Sequence, residues 1–394
     1  MQFDLIIIGG GLAGLSLACG LRETRLKIAL IENHPPRPAE NWDARIYAIS
    51  PANAEFLKRI GVWRHLDLQR VTPVHAMRVF GDGGGELVFS AYESGVDELA
   101  FILESSRMAC ELWENAKRQA NLSLFCPATP GDVSIGDDTA QLVLADGRTL
   151  SAKLLVGADG RDSWLRNQVG LAAIDTPYHE KGVVANFECE TAHQNTAYQW
   201  FRDDGVLAWL PLPGKRISMV WSTPDPHAAE LLALAPDALC ARVSAAGTHT
   251  LGALRAMGEA QAFPLHLLRV PQRIARRVAL IGDAAHGIHP LSGHGVNLGF
   301  GDASVLAGLL AETPDWEDIG ADRRLRAYQR ERREETELLQ HTTHTLRQLF
   351  RETLPGLKIL RNAGMELTGR LPVVKNLLVR YALAACRTNA ARMG

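Results

Sequence analysis

Gly9-x-Gly11-x-x-Gly14 follows the apolar run at 3–8 and opens an Ala- and Leu-rich stretch, after which Lys27–Ile31 forms a second apolar run closed by Glu32. Strand, tight turn, helix and second strand within about 30 residues make a βαβ unit, which commits this part of the chain to a parallel sheet flanked by helices. Each glycine has a steric reason. Gly9 permits the tight turn, Gly11 lets a pyrophosphate approach the backbone, and Gly14 allows close helix–strand packing. The helix N-terminus turns unpaired N–H groups toward phosphate charge. Gly9, Gly11, Leu12, Ala13 and Gly14 are therefore candidate cofactor-binding residues. Glu32 joins them as an acceptor for a ribose hydroxyl, which favours an unphosphorylated ribose as in FAD or NAD.

Bulk properties narrow the class. With 394 residues the chain is long for one core, so two associated domains are expected. A net charge of −2 gives no electrostatic basis for binding nucleic acid. The six cysteines include no C-x-x-C pair and no metal-ligand spacing, so they read as reduced thiols in a cytosolic protein. The apolar run before Gly9 is too short, and wrongly flanked by Asp4, to be an export signal. No stretch reaches the roughly 18 continuous apolar residues of a membrane span. The expectation is a cytoplasmic protein, or one peripheral on the inner face of the plasma (inner) membrane, with no metal.

Further along, MRVFGDGGGELVFS reads as a hairpin, and a helix is expected from about 104 to 120, with short strands near 122–125 and 141–144. From 178 to 271 aromatic and Val-rich runs separated by DDG and PGK turns predict an antiparallel sheet. From about 320 onward the pattern is helical.

Two distant segments add to the fingerprint. LLVGADGRDSWLR ends a strand with Asp159-Gly160-Arg161, and VALIGDAAHGIHP ends another with Gly282-Asp283. Together the three resemble the motifs of the aromatic-hydroxylase group of FAD-dependent monooxygenases, over about residues 1–350. Within that group DARIYAISPANAEFLKRIGVW, GDAAHGIHPLSGHGVNLGFGDA and YQRERR…RNAGMEL are similar to the ubiquinone-biosynthesis hydroxylases. The resemblance implies an α/β fold: a Rossmann-like FAD domain of the para-hydroxybenzoate hydroxylase type (1–75, 101–177 and 272–320), an inserted antiparallel substrate domain (76–100 and 178–271), and a helical region (321–394). It implies that Asp283 binds the ribityl chain of FAD, that Asp159-Gly160-Arg161 lies near the cofactor and a nicotinamide nucleotide, and that Arg45 lies near the flavin. Arg107 falls where the family often reads V-V-E-N-R, here Ile102-Leu-Glu104-Ser-Ser-Arg107.

The stretch 282–299 holds three histidines, yet Asp283, His286, His289 and His294 lie across Gly and Pro turns without H-E-x-x-H spacing, so a metal site is disfavoured. A backbone reading fits better. The helix that starts around Gly293–Asn297 can aim its N–H groups at the flavin N1–C2=O edge, where reduced flavin is negative. Gly282, Pro290, Gly293, Gly295, Val296 and Asn297 are thus placed at the cofactor, and Arg45, Pro290 and His294 near the reactive ring, with no catalytic base assigned. Where the family commonly has Gly-Gln-Gly, this chain has Gly293-His294-Gly295.

No second dinucleotide fingerprint, redox cysteine pair or W-x-W-x-I-P halogenase signature is present. The resemblance then implies hydroxylation of a polyprenylated phenol or benzoquinol in ubiquinone biosynthesis, through a flavin C4a-hydroperoxide, with NAD(P)H or another donor as transient reductant. An FAD-fold reductase or cyclase acting on an isoprenoid lipid, or a non-catalytic lipid-binding or scaffold flavoprotein, stays open. Trp209, Pro211 and Trp221 read either as sheet core or as one wall of the substrate pocket. In the tail, Val373, Val374, Leu377, Leu378, Tyr381 and Ala385 fall on one helical stripe among basic residues such as Lys375 and Arg380. That stripe suits docking on the protein, an oligomer, other ubiquinone-biosynthesis proteins, or an anionic bilayer.

Overall fold

Alternate residues of the first strand face different cores, and this fixes the layering of the nucleotide-binding half. The computed structural model describes residues 1–288 and 295–351. In Leu5–Ile8, Leu5 and Ile7 pack with residues of the helices Leu12–Gly20, Ser105–Lys117 and Gly295–Ala311. Ile6 and Ile8 pack instead with the three-stranded sheet Pro130–Ile135, Ala140–Leu144 and Thr149–Ala152. All four side chains are buried, as a parallel strand covered on both faces requires.

The main sheet runs Ile274–Ala275, Val278–Leu280, Leu154–Gly157, Leu5–Ile8, Ile28–Ile31, Leu122–Phe125, parallel except at its first pair. Ile8 pairs with both Gly157 and Ile31, and Gly157 with Leu280, so these strands end level. The Gly9 turn, Glu32, the Asp159 turn and the Gly282–Asp283 segment therefore leave one edge of one sheet. This is where an open α/β sheet binds its ligand.

The second large sheet is built on Ile174–Cys189, Arg216–Pro224, Gly205–Leu212 and Thr196–Arg202 in that order. The hairpin Ala76–Phe80/Glu86–Ser90 extends it beyond Thr196–Arg202. One face, carrying Phe187, Trp209, Met219 and Trp221, is covered by the helices Asp225–Ala233 and Pro236–Ala246. On the other, Ala197 and Leu212 pack with Ile46, Val74 and Ile102 of a small sheet made by Ile46–Ile49, Ala100–Glu104 and Thr72–Val74.

The structure departs from the expectation of sheet alone between 178 and 271, because those two helices interrupt it. Their signals are Pro226 and Pro236 in the first turns, followed by Ala and Leu at helical spacing. Residues 51–66 form a helix and a short turn. Ser50 caps the helix Pro51–Arg59 by accepting from Asn53 N–H, Gly61 at φ +76° ends it, and a short 3₁₀ turn follows at Trp63–His65. Among the described residues no helix is long and apolar enough to cross a membrane.

A Cβ added at Gly14 would strike the Gly9 carbonyl oxygen. Gly14→Ala is expected to cost about 1–3 kcal/mol through overpacking, read as a lower denaturant midpoint at unchanged slope. An unchanged midpoint would show that the turn has slack.

Candidate active site

The phosphate turn is shaped by steric exclusion on two sides and openness on the third. Gly9 has φ +106° and leaves no room for a Cβ beside the Ala158 carbonyl, whereas a Cβ on Gly11 would meet nothing within 4 Å. Gly11 precedes the helix Leu12–Gly20, so the empty space lies at a helix N-terminus, where a pyrophosphate fits. Glu32 is held beside this turn by its carboxylate, which accepts from the backbone N–H of Gly10 (2.6 Å), Asn33 (2.8 Å) and His34 (3.0 Å). These residues suit the adenosine end of FAD.

In the second motif the Asp159 carboxylate is taken up locally, accepting from Ser163 Oγ at 2.6 Å and Leu165 N–H at 3.0 Å. It thus supports the start of the short helix Trp164–Gln168. Gly160, at φ +84°, turns the chain away from the sheet. The buried Arg166 then ties this motif to the third, donating to the Ala284 carbonyl at 3.0 Å and to the Arg161 carbonyl at 2.8 Å.

The third motif begins at Gly282, with φ +60° and an added Cβ only 3.0 Å from Ala13 Cβ. Asp283 is solvent-exposed. Desolvation by the surrounding protein still raises its pKa, an effect opposed by His286, Arg45 and Arg161 and reinforced by Asp302. Those partners come from three separate motifs, so the cleft gathers them around one carboxylate. Tyr47, from the DARIYAIS segment, borders the same place, and burial followed by the Asp283 charge raises its phenol pKa. Arg45 lies over the Phe263 ring at 4.4 Å, bridging to the strand Gln261–Arg269 of the second sheet.

Other expected residues are placed differently. Asn297 is buried and its side chain is committed to protein: Nδ2 donates to the Ala48 carbonyl (2.8 Å), and Oδ1 accepts from Ser50 N–H and Asn53 Nδ2 (both 2.9 Å). Its side chain joins the helix Gly295–Ala311 to the small sheet, while the expectation for this position concerns its backbone N–H. Gly295 and Val296 open that helix, and a Cβ on Gly295 would meet nothing within 4 Å. Pro290, Gly293 and His294 lie outside the described residues. Arg107 pairs with buried Glu104 at 3.0 Å, and Arg70 grips the same carboxylate at 2.6 and 2.7 Å. Glu104 also accepts from Asp43 N–H, which fixes the loop leading to Arg45. Among the described residues no group of three or more His, Cys, Asp or Glu is placed to hold a metal.

Trp209 and Trp221 are a correction to the pocket-wall reading. Both are 0 % exposed in the core beneath the two interrupting helices, where the Trp209 ring fills the space a Cβ on Gly247 would need. Pro211 shares their strand parity and pairs with the core residue Ile217. Large rings bury most surface in that core, which is why they turn away from the cleft.

Sequence reasoning missed an ion cluster behind the third motif. Asp302, His286 and Arg332 are buried together, with His286 Nε2 2.6 Å and Arg332 Nε 2.8 Å from the Asp302 carboxylate. Burial opposes ionisation of Asp302, but His286 and Arg332 outweigh it and hold the carboxyl well below its usual range.

Three loops converging on one sheet edge, with an open phosphate turn and an acid at the cleft floor, define an FAD-binding oxidoreductase site. Residues 2–342 match the protein family described as an FAD binding domain. The chain is 31 % identical to the mitochondrial ubiquinone biosynthesis monooxygenase COQ6 of Danio rerio, covering 96 % of this chain and 89 % of that protein. It is 30 % identical to the 3-demethoxyubiquinol 3-hydroxylase of Escherichia coli, covering 96 % and 98 %. It is 31 % identical to the ubiquinone hydroxylase UbiL of Rhodospirillum rubrum, covering 98 % and 90 %. Among solved structures, the p-nitrophenol 4-monooxygenase PnpA of Pseudomonas putida shares the fold at TM-score 0.79 and 18 % identity, covering 98 % of this chain and all (100 %) of that one. PqsL of P. aeruginosa does so at TM-score 0.77 and 24 % identity, covering 93 % and 99 %. The chain belongs to the FAD-binding-domain family, in its branch of ubiquinone-biosynthesis hydroxylases. It is a flavin-dependent monooxygenase.

Gly11 already has an extended backbone with φ −75°, which alanine also adopts. Gly11→Ala should leave the denaturation midpoint near wild type while weakening FAD at least tenfold, by flavin-fluorescence titration of the apoprotein. Equal FAD affinity would place the pyrophosphate elsewhere.

Proposed function

We propose that this monooxygenase hydroxylates the aromatic ring of a polyprenylated phenol or benzoquinol intermediate of ubiquinone biosynthesis, with dioxygen as oxidant and NAD(P)H as transient reductant. The observation that carries the reading is the level ending of Ile8, Gly157 and Leu280, which brings the dinucleotide turn, the Asp159 turn and the Gly282–Asp283 segment to one sheet edge. The names of the relatives favour ring hydroxylation over the reductase, cyclase and carrier alternatives. Bound FAD supplies the oxygen chemistry and the protein supplies its placement. Gly9–Gly14 and Glu32 hold the adenosine and pyrophosphate, and Asp283 accepts from the sugar-alcohol hydroxyls. Arg45, seated on Phe263, sets positive charge at the cleft between the two halves.

The ring-binding wall is then the sheet face opposite the tryptophans. Leu210 lies there, with Ser218 its neighbour on the next strand and Asn186 one strand further. The amide Nδ2 of Asn186 donates to the Asp43 carbonyl at 3.0 Å, while its Oδ1 and the Ser218 hydroxyl have no partner among the described residues. A phenol hydroxyl donates to the first and accepts from the second. The prediction is that Ser218→Ala raises KM for a prenylated phenol by roughly three- to tenfold, about the worth of one hydrogen bond, while Trp209→Phe leaves KM within about twofold. Oxygen uptake that a prenylated phenol never stimulates in the FAD-loaded enzyme would overturn the reading.

The basic, apolar stripe at 371–387 lies outside the described residues. We read it as the contact with the bilayer in which a polyprenyl substrate dissolves, the protein staying peripheral. Full-length protein should float with anionic vesicles and a 355–394 deletion should not; equal flotation refutes this.

A further inference from the structure

Gly282 and Asp283 open a short 3₁₀ turn in which Gly282 is in the left-handed region and Asp283 reaches solvent. What fixes the loop lies behind it. Gly282 N–H donates to Asp302 Oδ2 at 2.9 Å, and the same oxygen accepts from His286 Nε2. The other oxygen, Oδ1, accepts from Arg332 Nε at 2.8 Å. Arg332 comes from the long helix Asp322–Arg351, crosses Gly301 where any Cβ would meet its guanidinium, donates to the Leu298 carbonyl at 3.2 Å, and is also ion-paired with Glu335. Its own carbonyl accepts from Arg273 at 3.3 Å. A second brace closes the loop from within, as His286 N–H donates back to the Gly282 carbonyl. Asp302, His286 and Arg332 are all nearly solvent-free.

We propose that Asp302 is a positioning residue for cofactor binding, setting the pose of the Gly282–Asp283 loop from behind while Arg332 and His286 hold its carboxylate in place. The inference rests on the reading of Asp283 as the acceptor for the sugar-alcohol arm of FAD. All three partners of Asp302 are donors, and a carboxylate accepts from all of them. Asparagine cannot do so: whichever way its amide is turned, its NH₂ faces a donor. Asp302→Asn should therefore release the loop while changing the side-chain volume very little.

A double-mutant cycle on FAD affinity separates positioning from general stability. FAD dissociation constants are measured on apoprotein, well below the melting temperature, for wild type, D302N, D283A and the double mutant. The expected result is at least a tenfold loss for D302N in the wild-type background and less than a twofold further loss when Asp283 is already alanine. N115A, which removes a buried hydrogen bond to the Ile60 carbonyl away from this loop, should lose stability yet keep FAD affinity within twofold. Additive losses in the cycle, unchanged affinity in D302N, or an equal loss in N115A would each overturn the proposal. If D302N does not accumulate folded, Arg332→Lys, which keeps the charge but not the forked donors, goes through the same cycle with the same criteria. A D283A variant with wild-type affinity removes the loop from cofactor binding and the proposal with it. A wild type that takes up no FAD sinks the functional reading as well, and shows it before any variant is made.

Discussion

Backbone register in the parallel sheet is the constraint on which the site depends. Ile8, Gly157, Ile31 and Leu280 end together because each strand is hydrogen-bonded to its neighbour in a single alignment. A slip of one residue would exchange the two cores that Leu5 and Ile6 separately occupy, so the alignment is enforced by burial on both faces. Everything chemical then follows at the edge, where chain segments more than a hundred residues apart emerge side by side.

Close approach is the second theme. The fingerprint helix and the helix Gly295–Ala311 come near enough that Gly299 would place a Cβ 3.6 Å from Ala13 and 3.5 Å from Gly282 Cα. The phosphate turn and the Gly282–Asp283 segment are thereby packed against each other through small residues. The charged brace at Asp302 completes this from the outer side. Its value is orientation more than stability, since a buried ion pair repays its desolvation only when the geometry is close to ideal.

The legible parts of the sequence were those where sterics leave a single answer. Gly9 and Gly14 tolerate no side chain, and the apolar runs between turns are strands whichever face they bury. The tryptophans were ambiguous because alternation tells which residues share a face and not which face meets solvent, helix or ligand. Two helices at 225–246 settled it, and their Ala- and Leu-rich pattern is visible once attention leaves the aromatics. The side chain of Asn297 bonds to Ala48, Ser50 and Asn53, partners 244 to 249 residues distant that its motif does not reveal. Asp302 and Arg332 were invisible for a related reason. Each stands in a helix, thirty residues from the other, and charged residues in helices ordinarily read as a solvated face.

The order in which the chain leaves the ribosome gives the sheet arrangement a temporal meaning. The fingerprint is synthesised before the strand beside it, Leu154–Gly157, which follows about 150 residues later, and Val278–Leu280 comes later still. Such distant pairings are slow to form and cannot begin until both partners are out. Until Arg332 has emerged, Asp302 has His286 and Gly282 beside it but lacks the guanidinium that holds its other oxygen. The chain thus carries a nucleotide turn well before the strands that complete the site, so cofactor capture waits for those later strands.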